Sequence, residues 1–376
     1  MKPLRQISLA RPSVGEEEWR ALREPINSGW LAQGPEVEAF ERDFARRHSV
    51  VHARATSSGT AALHLVLAAL EIGPGDEVIV PAFTWVATAN AVSYCGATPV
   101  FADVDVATFN LDPQDVARRV TERTRAVIAV HLFGLCAEMD GLRDAAPKAT
   151  LIEDAACATG ASYHGRSTGG LGVAAAFSFH PRKLITTGEG GMVTTSDEDL
   201  AERIAALRNH GLVPTLPGRR QEFPDIKALG FNYRMTDMQA AMGIVQLRKL
   251  DALIAERQRW AAYYAQELGA IPWIVTPTVP KGLEHTWQSY VLRIDESTAP
   301  RTRDEIMASL EAEGIATRPG SHAVHRLGLY RERLGTAGRG LDVSLECART
   351  SMAIPLHSKM SEGDYESVVA ALKRIR

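Results

Sequence analysis

Four short apolar runs dominate the first half of the chain: residues 77–81, 98–102, 126–132 and 150–153. Helical patterns over 112–122 and 139–146 separate the later runs. Strands alternating with helices return in one direction, so this order predicts an α/β fold: a mixed, mostly parallel sheet between helices. In open α/β sheets, ligands lie beyond the carboxyl ends of the strands. That rule selects Asp154, directly after 150–153, and the segment Phe83-Thr84-Trp85 after the run at 77–81.

The pattern changes after residue 240. A long helical stretch, 240–268, carries Val245, Leu250 and Ile254. Beyond it come a strand at 289–294, a helix at 302–313, a short strand at 352–357 and a final helix at 361–376, which reads as a smaller α+β unit. Two domains are therefore expected, 1–248 and 249–376, and 376 residues are enough for both. The charge, 42 basic against 45 acidic side chains, gives no general basic surface and argues against nucleic acid. No apolar stretch approaches the roughly 18 residues of a membrane span. Cys95, Cys136, Cys157 and Cys347 form no CxxC pair, so they read as reduced thiols and not as a disulfide or zinc framework. The first residues lack a signal-peptide core, and a cytoplasmic location is expected.

Several candidate residues stand at the ends of these runs. Thr56-Ser57-Ser58-Gly59-Thr60 precedes a helix of strong propensity at 61–70. A helix start of this kind either binds an anion or is simply capped by Ser58 or Thr60. Trp85 is either a core residue or a ring placed to stack on a flat heterocycle. Asp154 either caps a following helix or pairs with a protonated ring nitrogen. Arg219 and Arg220, in a loop rich in Pro, Gly and Arg, are solvated charges or contacts to a substrate diphosphate. His322 and His325 lie in a loop after Arg318-Pro319 and are structural or substrate-facing.

The most informative stretch is Phe177-Ser178-Phe179-His180-Pro181-Arg182-Lys183-Leu184-Ile185-Thr186-Thr187-Gly188-Glu189-Gly190-Gly191. Apolar runs enter and leave it, so it reads as two strands joined by a loop that Pro181 and three glycines restrict. Lys183 is then held in a rigid loop. A lysine held between strands loses hydration, which favours its neutral form, and only the neutral amine attacks a carbonyl.

This stretch closely resembles the cofactor-lysine loop of the DegT/DnrJ/EryC1/StrS sugar aminotransferases. Glu153-Asp154-Ala155-Ala156, Ser58-Gly59-Thr60, the loop Gly29-Trp30-Leu31 to Gly34, and Gly230-Phe231-Asn232-Tyr233-Arg234 match further motifs of that family, in its order. The resemblance implies a fold-type I enzyme that uses pyridoxal 5′-phosphate. It implies Lys183 as the Schiff-base lysine, Asp154 on the pyridine nitrogen, Trp85 over the ring, and Gly59, Thr60, Ser178 and Asn232 at the phosphate. Asn232 would reach the neighbouring subunit's site, so a homodimer with shared sites is implied. The loop with His322 and His325 would close over the substrate. The implied reaction is amino transfer from glutamate or glutamine to a keto-sugar, commonly nucleotide-linked, in amino-sugar biosynthesis; the alternative acceptor is a cyclitol. A deoxysugar dehydratase is disfavoured, because histidine replaces the lysine in those relatives, and no helix-turn-helix supports a regulator. The chain departs from the family at Cys157, where Gln is usual and a thiol is the weaker donor to the cofactor's ring hydroxyl.

Overall fold

A computed structural model describes residues 6–212, 225–334 and 340–376. Its main sheet has seven strands in the order His52–Thr56, Gly191–Thr195, Ala174–Ser178, Thr150–Asp154, Thr124–Val130, Glu77–Pro81 and Thr98–Ala102. Of these seven, Gly191–Thr195 alone runs against the others. It is the strand that leaves the lysine loop, and the loop returns it beside Ala174–Ser178. Ala174–Ser178 and Glu77–Pro81 are buried along their whole length. Strands covered on both faces need such continuous apolar runs.

Helices cover the two faces. On one, Leu63, Leu65, Val66 and Leu67 of the helix Gly59–Ala69 pack against Val78, Val80, Ile128 and Ile152. On the other, the helix Pro35–Arg47 places Val37, Phe40 and Phe44 against Phe177 and Phe179. The ring pairs Phe44–Phe177 and Phe40–Phe179 have centroids 5.0 and 5.3 Å apart.

The helix Asp237–Leu268 runs for 32 residues and starts in a capping box between Thr236 and Gln239. Its first half, with Ala240, Ile244 and Leu250, packs in the cluster of Phe40 and Phe177. Its second half, with Trp260, Tyr264 and Leu268, packs against a second sheet. That sheet is antiparallel, in the order Ile274–Val275, Tyr290–Ile294, Ser351–Ile354 and Arg318–Pro319. The helices Arg303–Ala312 and Glu362–Arg374 belong to the same region. The boundary expected at 248/249 thus falls within one continuous helix.

Local differences from the sequence reading have local causes. Asp112 accepts a hydrogen bond from the Gln114 amide at 2.9 Å, and the helix that follows ends early, at Arg119. No helix follows Asp154; the chain turns there instead. Among the described residues, no helix is long and apolar enough to cross a membrane. All four cysteines are free.

Candidate active site

The first corner of the site is set by strand register. Thr56, Gly191 and Ser178 stand in one row across three neighbouring strands. Past Thr56 the chain turns into the helix Gly59–Ala69, whose first turn carries no acidic residue. Ser58 does cap it, its Oγ accepting from the Ala61 amide at 3.1 Å. Two glycines permit the close approach: a Cβ on Gly59 would lie 2.8 Å from Ser178 Cβ, and one on Gly191 would lie 2.5 Å from the Ser58 carbonyl carbon. Gly59, Thr60 and Ser178 therefore meet at one helix N-terminus, where backbone amides and the dipole favour an anion. The Ser57 amide donates to the Tyr233 carbonyl at 2.8 Å, which brings the segment carrying Asn232 alongside. Asn232 is exposed, and its side chain has no hydrogen bond among the described residues.

Asp154 ends the strand Thr150–Asp154, one strand away from Ser178. It is 5% exposed. The Thr88 hydroxyl donates to Oδ2 at 2.8 Å, and the Ala156 amide donates to Oδ1 at 3.2 Å. Its neighbour Glu153 points to the opposite face of the strand, as alternation requires. There it takes hydrogen bonds from His131 Nε2 at 3.0 Å and from the amides of Gly169, Leu171 and Gly172. Burial alone would raise the Glu153 carboxyl; the His131 contact and the glycine amides hold it below its ordinary value instead. Glu153 is bound up in the fold by four hydrogen bonds, whereas Asp154, adjacent in sequence, is held from the opposite face by Thr88 and the Ala156 amide.

The lysine loop is tied down along its length. The Phe179 amide donates to the Gly190 carbonyl at 2.9 Å, and the Lys183 amide donates to the His180 carbonyl at 2.8 Å. Thr186 Oγ1 donates to the Phe179 carbonyl at 2.7 Å, while the Thr186 amide reaches Gln246 Oε1 on the long helix at 3.1 Å. Gln288 Nε2, from the second region, donates to the Arg182 carbonyl at 2.8 Å. Leu184 and Ile185 anchor the loop in the core. Lys183 is half-buried, and its Nζ donates to Cys157 Sγ at 3.1 Å. Cys157 thus contacts the lysine itself.

The other expected residues fall differently. Trp85 is 60% exposed, with its ring 5.6 Å from that of His322. The short pairing of His322–Ala323 with Phe83–Thr84 brings these two together. His325 is buried near Phe101, and neither ring nitrogen has a hydrogen-bond partner among the described residues. Arg219 and Arg220 lie outside the described residues. Sequence reasoning missed Thr88, Gln246 and Gln288, because each reaches the site across a long chain separation.

These residues fit pyridoxal phosphate. The glycine-lined helix start suits its phosphate, the oriented Asp154 carboxylate suits its ring nitrogen, the exposed Trp85 face suits its ring, and Lys183 suits its aldehyde. The comparisons agree. The chain is 42% identical to the GDP-perosamine synthase of Caulobacter vibrioides over 379 residues, covering 100% of both. It is similar to Spr1654 of Streptococcus pneumoniae in its pyridoxal-phosphate form, with a TM-score of 0.92, 27% identity and coverage of 99% and 98%. It is also similar to DesI, solved with its TDP-sugar product, with a TM-score of 0.89, 36% identity and coverage of 98% and 92%. The model of the DegT/DnrJ/EryC1/StrS aminotransferase family matches residues 12–373. The chain belongs to that family and is a pyridoxal-phosphate-dependent aminotransferase of the α/β, fold-type I architecture.

Proposed function

We propose that this aminotransferase carries an amino group from glutamate or glutamine to a nucleotide-linked keto-sugar, in amino-sugar biosynthesis. The observation that carries this reading is Lys183, fixed in its loop near the carboxyl ends of the strands that bear Asp154 and Ser178. The acceptor class rests on the full-length likeness to a GDP-perosamine synthase and on DesI with its TDP-sugar product.

When bound, pyridoxal phosphate supplies a reactive carbonyl and an electron-accepting ring. Gly59, Thr60 and Ser178 hold its phosphate, joined by Asn232 of a second copy of the chain. Asp154, oriented by Thr88 and the Ala156 amide, keeps a proton on the ring nitrogen. Trp85 would cover one face of the ring, with the His322 ring 5.6 Å from its own. Lys183 Nζ would be the group that takes the proton from the donor's α-carbon and returns it one position away, as general base and then general acid. Cys157, in contact with that nitrogen, helps to hold it in place. Residues 1–248 form the cofactor-binding unit in this reading and 249–376 the smaller one. The working form is a homodimer with shared sites.

The test is a panel of nucleotide-linked keto-sugars and keto-cyclitols, offered with glutamate or glutamine and scored by mass detection of the amine. Amination of the nucleotide-linked sugars is expected. Turnover confined to cyclitols would replace the acceptor, and dehydration without amination would replace the reaction.

A further inference from the structure

The strand ladder that flanks the lysine loop ends at Ser178 and Gly191, so the loop between them depends on other contacts. Two glutamines of the long helix Asp237–Leu268 supply a pair of them. Gln239 Nε2 donates to the Glu189 carbonyl at 2.7 Å, and Gln246 Oε1 accepts from the Thr186 amide at 3.1 Å. The two glutamines stand about two turns apart, so a single face of the helix meets the loop. Gly243 lies between them and lets the helix come close to Phe40: a Cβ there would be 2.7 Å from that ring.

Gln246 is fully buried, and its surroundings fix which way its amide faces. Its Nε2 donates to the Ser13 carbonyl and to Glu18 Oε1, both at 2.8 Å. Two acceptors therefore face the nitrogen and one donor faces the oxygen, and a single orientation satisfies all three. Glu18, from the helix Glu16–Ala21, is itself buried. Lys249 Nζ donates to its Oε1 at 2.6 Å, and the Gly15 amide donates to its Oε2 at 2.8 Å. Burial alone would raise the Glu18 carboxyl; the bonds from Lys249, Gln246 and the Gly15 amide hold it below its ordinary value. It stays an ionised acceptor, which a glutamine nitrogen can face and a glutamine oxygen cannot. Thr186 carries the constraint onward. Its Oγ1 donates to the Phe179 carbonyl at 2.7 Å and accepts from the Gly188 amide at 3.0 Å. Lys183 lies between Phe179 and Thr186, with Leu184 and Ile185 buried beside it.

We infer that Gln246 is a positioning residue for Lys183, and that Glu18 sets Gln246 so that its oxygen faces the lysine loop. The inference rests on Lys183 being the cofactor lysine and adds what holds it in register. Gln246 touches no reacting atom; it acts through the backbone of Thr186. Without it, the buried Thr186 amide loses its acceptor, and the segment that closes the loop moves to regain one. That movement displaces Lys183 relative to Asp154 and Ser178, which stand on the sheet and do not follow it.

The experiment compares holoenzymes by the rate of cofactor release and by the pH titration of the bound cofactor's absorbance. Gln246→Met keeps the length of the side chain and removes its polar atoms. It is expected to speed release by about tenfold and to move the titration midpoint by about half a unit or more. Tyr264→Phe, on the same helix, removes the 2.9 Å bond to the Pro355 carbonyl far from the loop. It is the control for lost stability alone: Tm falls, while release and titration hold. Glu18→Ala is expected to change both readouts in the same direction as Gln246→Met. Glu18→Gln still offers Gln246 an oxygen and should recover part of the loss. A Gln246→Met protein that behaves like Tyr264→Phe, with release within about twofold and an unmoved midpoint, overturns the inference. Should Gln246→Met fail to fold, Glu18→Ala decides by the same two readouts. Borohydride reduction and peptide mapping of the unaltered holoenzyme separate the two levels. A pyridoxyl label away from Lys183 removes the cofactor lysine and this inference with it. A label on Lys183 with unmoved readouts removes the Gln246 role alone.

Discussion

In the proposed site Asp154 works through its orientation, and one hydroxyl supplies much of that orientation. Thr88 Oγ1 donates to Oδ2 at 2.8 Å inside a buried setting, 66 residues away in sequence. A hydrogen bond to a charged group contributes about 1.5–3 kcal/mol. Thr88→Val keeps the shape and removes the donor, so cofactor affinity is expected to fall about tenfold or more, measured by titrating the apoenzyme with pyridoxal phosphate. Thr88→Ser should retain most of it, and equal affinity in Thr88→Val would show that the Ala156 amide suffices. The same contrast explains what the sequence displays at this scale. Lys183, Asp154 and Gly59 are legible because each sits in a run of small or turn-forming residues that only a special backbone needs. Thr88 is an ordinary residue until the fold carries it to Asp154. Cys157 is legible as a departure from the family, and its contact with Lys183 Nζ is set by the path of the lysine loop.

Elements rest on one another through a few buried polar contacts. Asp237, at the start of the long helix, accepts from the amides of Gly34, Glu36 and Val37 at 2.8, 3.1 and 3.0 Å. It therefore caps the helix Pro35–Arg47 from 200 residues away. Asp237→Ala strands the Val37 amide and is expected to cost about 2–4 kcal/mol, read as a lower midpoint in denaturant at unchanged slope. Asp237→Asn should recover part of that loss. The other end of the same helix gives a pH dependence. His48 stacks on Phe44 at 4.4 Å, its Nδ1 donates to the Thr168 carbonyl at 2.7 Å, and its Nε2 is buried without a partner among the described residues. Burial pushes its pKa down from 6.5 to about 4, so the fold resists the second proton that the unfolded chain accepts. Its contribution is complete above pH 6.5, declines as pH falls below that value, and is lost once pH passes about 4. At pH 5 the loss is about 2 kcal/mol. Thermal unfolding across this range should show Tm falling more steeply in the unaltered protein than in His48→Phe, which removes the titrating group and keeps the stacking. Parallel slopes would assign the acid sensitivity to other groups, such as His285, which burial likewise holds neutral at pKa about 3. The strands and long helices were legible because their apolar periods are long. Helix ends such as Arg119 were not, because a cap at Asp112 and an extended Val120 decide them.

At the scale of the whole molecule, one chain leaves apolar surface uncovered. Trp19, Trp30 and Trp85 are 58%, 56% and 60% exposed, and Leu229 is 92% exposed. Exposed apolar surface of this kind marks contact regions or ligand sites. Asn232 is exposed beside the phosphate corner, held there by the Ser57–Tyr233 backbone bond, and its side chain has no partner among the described residues. These observations favour association of two copies that exchange Asn232. Mixing Lys183→Ala protein with Asn232→Ala protein tests the arrangement, since each is expected to be nearly inactive alone. If Asn232 serves the neighbouring site, a mixed dimer combines intact Lys183 of one chain with intact Asn232 of the other, and one of its two sites recovers. If Asn232 serves its own chain, every site in the mixture lacks one of the two residues and nothing recovers. The Ser57–Tyr233 contact within a single chain gives that second outcome a physical basis, so the experiment discriminates between two defined arrangements. Recovery is the expected result, read as activity rising with the fraction of mixed dimers confirmed by mass spectrometry. Absence of recovery with subunit exchange demonstrated, or a monomer by sedimentation at working concentration, would confine each active site to one chain.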